Sequence, residues 1–381
     1  MGLIFQKIIP DLALLRVDFC NDRFISPISG KYSLDGITWS NIVFPATPPG
    51  GTIILNGVAY GNGIYVAPVG YSDSPPAPTH YMTSTDGINW VYRLWPVSNF
   101  YTMSREKNIV FGNGIFVITG TGPGATSILT STDGINWNAR AIGGTDPYID
   151  YVAYGNGIFV AVKSNRTTYT SVDGINWTEN LNSLPVVAVN GSRCIAFGGG
   201  LFVALVANSN TKLVTSVDGV IWTEYDLPTS QWRTVRYGGG LWVFANKGAT
   251  WPATSNYRIA STSNFVTWTE YNLDIGSNYD SDFGLGKFVV AAIDNNSTYS
   301  ETTYTLTYIA GSGGTITGIT SQTINPGSNG TEVTAVPNTG YYFLAWSDGL
   351  TTPSRTDLNI QSDMALTANF VSYSNLWKVE I

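Results

Sequence analysis

Two short motifs alternate along roughly the first 300 residues of this 381-residue chain, and internal repetition of that kind constrains a fold more than any other sequence feature. The first is a glycine turn running into an apolar strand: GNGIYVA at 61–67, GNGIFVI at 112–118, GNGIFVA at 155–161, GGGLFVA at 198–204, GGGLWVF at 238–244 and GLGKFVV at 284–290. A worn copy, CNDRFIS, occupies 20–26. The second motif is S-x-D-G-x-x-W. It places Asp35 and Trp39 in its first copy, then Asp86 and Trp90, Asp133 and Trp137, Asp173 and Trp177, and Asp218 and Trp222. A sixth copy ends at Trp268, with Asn264 for the aspartate and Phe265 for the glycine. Successive tryptophans lie 51, 47, 40, 45 and 46 residues apart.

Asn-Gly and Asp-Gly between apolar, β-branched runs mark tight hairpins, because such turns need positive φ at their centre. Each repeat therefore reads as strand A, glycine turn, strand B, a longer loop, strand C, Asp-Gly turn and strand D. A four-stranded unit of about 40 to 45 residues is the size of a β-propeller blade. Seven A–B hairpins but six C–D hairpins leave the last unit short of a strand. Residues 297–302 can serve as its strand C, and the apolar chain start at 3–9 is the expected donor of strand D, which removes an exposed edge. The expected fold is all-β: a seven-bladed β-propeller over 1–302, closed by the N-terminal strand. The rival reading of that start is an arm that docks on another protein.

Composition narrows the function. Only 12% of residues are charged, about half the usual share, and 41 Gly with 18 Pro favour short strands and turns. A net charge of −7 offers no basic face to displace counterions from phosphates, so nucleic acid is not an expected partner. His80 is the only histidine, which removes chemistry needing two imidazoles in one chain. Cys20 and Cys194 fall in different repeats and read as free thiols. No metal site and no cofactor is expected. No stretch approaches 18 consecutive apolar residues, so membrane insertion is not expected. The N-terminus lacks the frame of a signal peptide.

The S-x-D-G-x-x-W copies resemble a shortened Asp-box, the C-to-D turn of sialidase-type propellers and of many non-enzymatic propellers on bacterial and phage surface proteins. The resemblance covers about 19–292 and implies structural roles for its Asp and Trp residues. Beyond residue 303 the pattern changes. Gly313-Gly314, the run GTEVTAVP, Gly340-Tyr341, Trp346-Ser347-Asp348-Gly349, Arg355-Thr356-Asp357 and Ala368-Asn369-Phe370 closely resemble the divergent InlB B-repeat, also called the bacterial repeat domain. That resemblance implies a small β-rich, grasp-like module over 303–372, used as a spacer or adhesive unit, with a tail at 373–381.

A sialidase needs an arginine triad, a Tyr/Glu nucleophile pair and a general acid. Arg16, Arg105, Arg193, Arg233 and Arg236 could converge near the propeller axis, but no persuasive Tyr/Glu pair accompanies them, and no catalytic residue is assigned. The long connections differ in every repeat, and variable loops on a rigid scaffold are where recognition usually sits. Tyr71, His80, Trp95, Tyr101, Tyr148, Trp232 and Trp251 fall in them and are the candidate ligand-binding residues; aromatic rings beside Asp, Asn and Ser suit sugars. The expected function is a phage virion protein, a tail fibre or receptor-binding component. Its expected partners are other virion proteins and host cell-surface polysaccharide or protein, with homo-oligomerisation in the assembly left open. A bacterial surface adhesin and a glycoside-active enzyme are the alternatives.

Overall fold

The computed structural model describes residues 2–8, 14, 16–45, 53–55, 57–71, 80–96, 100, 108–120, 122, 126–142, 149, 151–163, 166–185, 194–205, 212–228, 232–246, 258–272, 278–292, 297–325, 328–360 and 362–373. Among these residues there is no α-helix. The chain divides into two compact units, Gln6–Tyr299 and Met1–Phe5 with Ser300–Ile381.

The larger unit is a succession of blade-like antiparallel sheets, each running in chain order from first strand to last. The first sheet is Asp18–Cys20, Arg23–Ser26, Lys31–Ser33 and Ser40–Asn41. The second, Ala59–Gly61, Ile64–Tyr71, His80–Ser84 and Val91–Leu94, carries a fifth strand, Ile53–Leu55, on the far half of Ile64–Tyr71. The third to sixth begin at Ile109–Gly112, Tyr151–Gly155, Cys194–Gly198 and Trp232–Gly238, and each has four strands. The last begins with Asn278–Gly284 and Lys287–Ala292 and continues into Thr298–Ala310, which pairs with Gly2–Lys7. The Ile8 amide donates to the Ser297 carbonyl at 3.0 Å and the Tyr299 hydroxyl to Gln6 Oε1 at 2.9 Å.

Alternation along the strands directs apolar side chains to both faces, so each sheet is sandwiched by its neighbours. One core cluster joins the second sheet to the third through Val66, Tyr81, Phe116 and Trp137. Another joins the last sheet to the first through Val289, Tyr299, Val17 and Phe24, with Ile8 and Leu14. Six glycines end first strands, and they allow this approach. A Cβ added at Gly61, Gly112, Gly155, Gly198, Gly238 or Gly284 would stand 1.9 to 2.2 Å from Phe111, Tyr154, Phe197, Tyr237, Phe283 or Phe19 of the following sheet. The series runs from the last sheet back to Phe19 of the first.

The smaller unit pairs Thr298–Ala310 with Met364–Ser372 in parallel, flanked by Ser321–Ile324 and Tyr341–Trp346. A second sheet holds Gly314–Thr317, Val333–Pro337 and Ser354–Arg355. Leu306, Tyr308, Val333, Trp346 and Leu366 form its core. Arg355 explains two of the landmark motifs. Its guanidinium makes a two-pronged bond to Asp348 (3.1 and 2.8 Å), bonds Asp357 at 3.0 Å and lies 5.0 Å over the Trp346 ring. Planar guanidinium geometry suits both contacts at once.

Candidate functional site

The repeated carboxylates are engaged within their own turns. The Ser33 hydroxyl donates to Asp35 Oδ1 (2.9 Å) and accepts from the Gly36 amide (2.8 Å). Asp35 Oδ1 in turn accepts from the Ile37 and Thr38 amides, each at 2.7 Å. In the next three copies an asparagine amide, from Asn89, Asn136 or Asn176, donates to the second carboxylate oxygen at 2.7 Å. Burial opposes the charge of Asp35, but the bonds from Thr38, Ile37 and Ser33 outweigh it and pull its pKa down to about 2. Asp86 and Asp133 are lowered against burial in the same way, and in Asp173 the backbone amide of Asn176 is the leading cause. The Asp-Gly glycines take φ between 69° and 76°. At the sixth copy Phe265 takes φ 59° instead, with its ring 5.8 Å from Trp242 and 5.4 Å from Tyr225, while Asn264 Oδ1 accepts the same two turn amides.

Glycine turns and Asp-Gly turns share one end of the sheets. Asn62 Nδ2 donates to the Gly114 carbonyl (3.2 Å) and the Thr132 carbonyl (2.7 Å) of the next sheet. Asn113 reaches Val172 O (2.7 Å), and Asn156 reaches Gly200 O (3.0 Å) and Val217 O (3.1 Å). The B-to-C and D-to-A connections, which carry the long variable segments, therefore leave from the other end.

The other concentration of chemistry lies on the first strands. Two and four residues before the strand-ending glycine, or Cys20 in the first sheet, the chain places Asp18 and Arg16, Ala59 and Gly57, Val110 and Asn108, Ala153 and Tyr151, Ala196 and Cys194, Arg236 and Thr234, and Asp282 and Asp280. Charge falls only on the first, sixth and last sheets. Arg16 Nε stands 3.6 Å from both Asp18 and Asp280, and Arg236 Nη2 bonds Asp280 Oδ1 at 3.1 Å. Asp18 also accepts from the Val58 amide (3.0 Å) and Asp282 from the Phe19 amide (2.8 Å), so the network ties the last sheet to the first and the first to the second. Burial opposes the Arg236 charge, but Asp280 and Asp282 raise its pKa overall, so it stays protonated. Burial pushes Asp280 up against the pull of Arg236 and Arg16. Beside this network lies a cavity of about 190 Å³ lined by Val110, Tyr151, Ala153, Cys194, Ala196, Arg236 and Asp282, among others. Both cysteines are buried thiols outside any disulfide. Among the described residues no group of three or more His, Cys, Asp or Glu is arranged to hold a metal ion.

The expected aromatic surface is corrected at two positions. Trp95 is 7% exposed, stacked on Tyr81 at 4.3 Å and edge-on to Trp137 at 5.5 Å; Trp232 is 2% exposed and lies edge-on to Phe244. Both are core: Trp95 directly follows the strand Val91–Leu94 and packs between the second and third sheets, and Trp232 opens the strand Trp232–Gly238 and packs between the fifth and sixth. His80 is partly exposed, edge-on to Tyr92 at 6.1 Å. Tyr71 ends a strand, and its side chain lies outside the description. Tyr101, Tyr148 and Trp251 lie outside the described residues, as do Arg105 and Arg193. Of the five arginines, Arg16 and Arg236 are brought together; the side chain of Arg233 is not described. Sequence reasoning missed Asp18, Asp280 and Asp282, although the repeat register places all three on the same strand face as the two arginines.

The model of the DUF6242 beta propeller domain matches residues 84–238, and that of the divergent InlB B-repeat domain matches 304–374. The chain carries a β-propeller domain followed by a divergent InlB B-repeat domain. No curated protein matches it. A catalytically inactive virginiamycin B lyase from Staphylococcus aureus, solved with quinupristin, is 16% identical with a TM-score of 0.61 over 79% of this chain and 100% of that one. YCF48 bound to D1 peptide is 16% identical with a TM-score of 0.55 over 79% and 97%. Likeness at such identities is one of fold, and the fold hosts both an enzyme and a peptide binder.

Proposed function

We propose that this chain is a non-catalytic recognition protein of a phage virion, a tail-fibre or receptor-binding component. Its propeller is a seven-bladed ring closed by the N-terminal strand, with turns of the Asp-box type. The closure is supported by the pairing of Gly2–Lys7 with Thr298–Ala310 and by the glycine-to-ring contacts that continue from Gly284 to Phe19. The recognition reading rests on one asymmetry. At one end of the sheets uniform turns are tied to each other, and their carboxylates are already engaged. At the other end the connections at 72–79, 97–107, 143–150 and 247–257 differ in length and sequence from blade to blade. A rigid scaffold with variable connections at one end is how binding surfaces are usually built. The reading of the C-terminal domain as a spacer or adhesive unit fits the same role.

Mass spectrometry of purified virions tests the setting: the protein is expected among the structural components. Detection on bacterial surfaces instead would favour the adhesin. Recombinant protein is expected to bind host cells or their surface polysaccharide and to leave a fluorogenic sialoside intact; turnover of that substrate would overturn the non-catalytic reading.

A further inference from the structure

The cavity among the first strands has the composition of a ligand site. Where the first, sixth and last blades present Asp18, Arg236 and Asp282, the fourth and fifth present Ala153 and Ala196, and the space these small residues leave is the cavity of about 190 Å³. Arg236 lines it and is only 8% exposed. A guanidinium carries five N–H donors, yet Arg236 donates two hydrogen bonds, to Val235 O (2.9 Å) and Asp280 Oδ1 (3.1 Å). Its Nε stands 3.6 Å from Asp282 Oδ1, too far for a hydrogen bond. No Arg236 nitrogen is both buried and without a partner, so its spare donor capacity opens on accessible space, which the cavity beside it supplies. Asp282 offers acceptor oxygens on the same wall, and Tyr151, Val110 and the two alanines line the rest.

We propose that this central cavity binds one neutral sugar unit, such as a terminal pyranose of a surface glycan. Donors and acceptors side by side match vicinal hydroxyls, and the apolar and aromatic lining matches the carbon face of the ring. An anion is disfavoured, because three carboxylates (Asp18, Asp280 and Asp282) accompany two guanidiniums, which leaves no spare positive charge. The inference rests on the proposed glycan recognition and goes beyond it, adding a site among the first strands that is separate from the variable connections.

The test uses the full chain titrated by calorimetry with glucose, galactose, N-acetylglucosamine and rhamnose, and with glucuronic and sialic acids. Arg236 cannot serve as the test residue, since it holds the blades together, so Ala196→Leu is the probe variant: it fills the cavity and leaves every charged side chain in place. At least one neutral sugar is expected to bind, and the variant, melting as the parent does, is expected to bind it at least tenfold more weakly. No binding of any neutral sugar, a preference for the acidic sugars, or equal binding by the variant would each overturn the proposal. If the parent and Ala196→Leu bind host polysaccharide equally, the cavity is excluded while glycan recognition on the variable connections survives. If the variant fails to fold, Ala153→Leu is judged by the same criteria.

Discussion

Replacing Gly155 by alanine isolates the contact on which blade packing depends. Gly155 is not among the residues with positive φ, so alanine suits its backbone and the effect is purely steric. The new Cβ would stand 2.0 Å from Phe197 Cγ and 2.2 Å from both Cδ atoms, where carbon atoms ordinarily rest about 3.5 to 4.0 Å apart. The ring must therefore withdraw by roughly 1.5 Å. It is backed by Phe202 at 4.8 Å and packed on the cluster of Ala153, Ile195 and Trp222, and a close-packed interior yields little. Overpacking of this kind costs about 1 to 3 kcal/mol; given the depth of the clash, the upper end is expected. Urea unfolding should show a lower midpoint at unchanged m. Phe197→Ala removes Cγ and both Cδ, the atoms the new Cβ would meet, so the double variant should cost less than the sum of the singles by about 1 to 2 kcal/mol. A Gly155→Ala protein that unfolds at the parent's midpoint, or strictly additive costs in the double variant, would refute the reasoning.

Asp133→Ala should cost about 1 kcal/mol through lost turn bonds, and Trp137→Ala about 3 to 5 kcal/mol as a core cavity; loss of ligand binding without loss of stability would show these motifs to be functional. Trp95→Ala should act on stability too, by about 3 kcal/mol, because its ring is core; a variant that melts as the parent does would return it to the surface. Acid titration followed by fluorescence should show stability that is complete above the usual carboxylate pKa near 4 and lost as pH falls toward about 2, the lowered value of Asp35. The sign follows from a carboxylate whose folded pKa is depressed, and Asp35→Asn should flatten that slope. Deleting residues 1–8 removes the strand beside Thr298–Ala310 together with buried Leu3 and Ile8, each worth about 1.5 to 3 kcal/mol; unchanged melting would contradict closure by that strand.

Much of the architecture was legible in the chain because it is local. A two-residue turn with positive φ leaves its mark in adjacent letters, so Asn62-Gly63 and Asp133-Gly134 announce their hairpins. The fate of Trp95 and Trp232 was not legible: each sits at the edge of a strand, and whether its ring turns to solvent or between sheets depends on Tyr81, Trp137 and Phe244, which only packing brings near. The same holds for the charged network. Arg16, Asp18, Arg236, Asp280 and Asp282 span some 260 residues of sequence and meet because the last sheet packs on the first. The repeat decided that each sheet offers the same two first-strand positions; the tertiary arrangement brought the charged ones of the first, sixth and last sheets together and left a cavity beside them at Ala153 and Ala196.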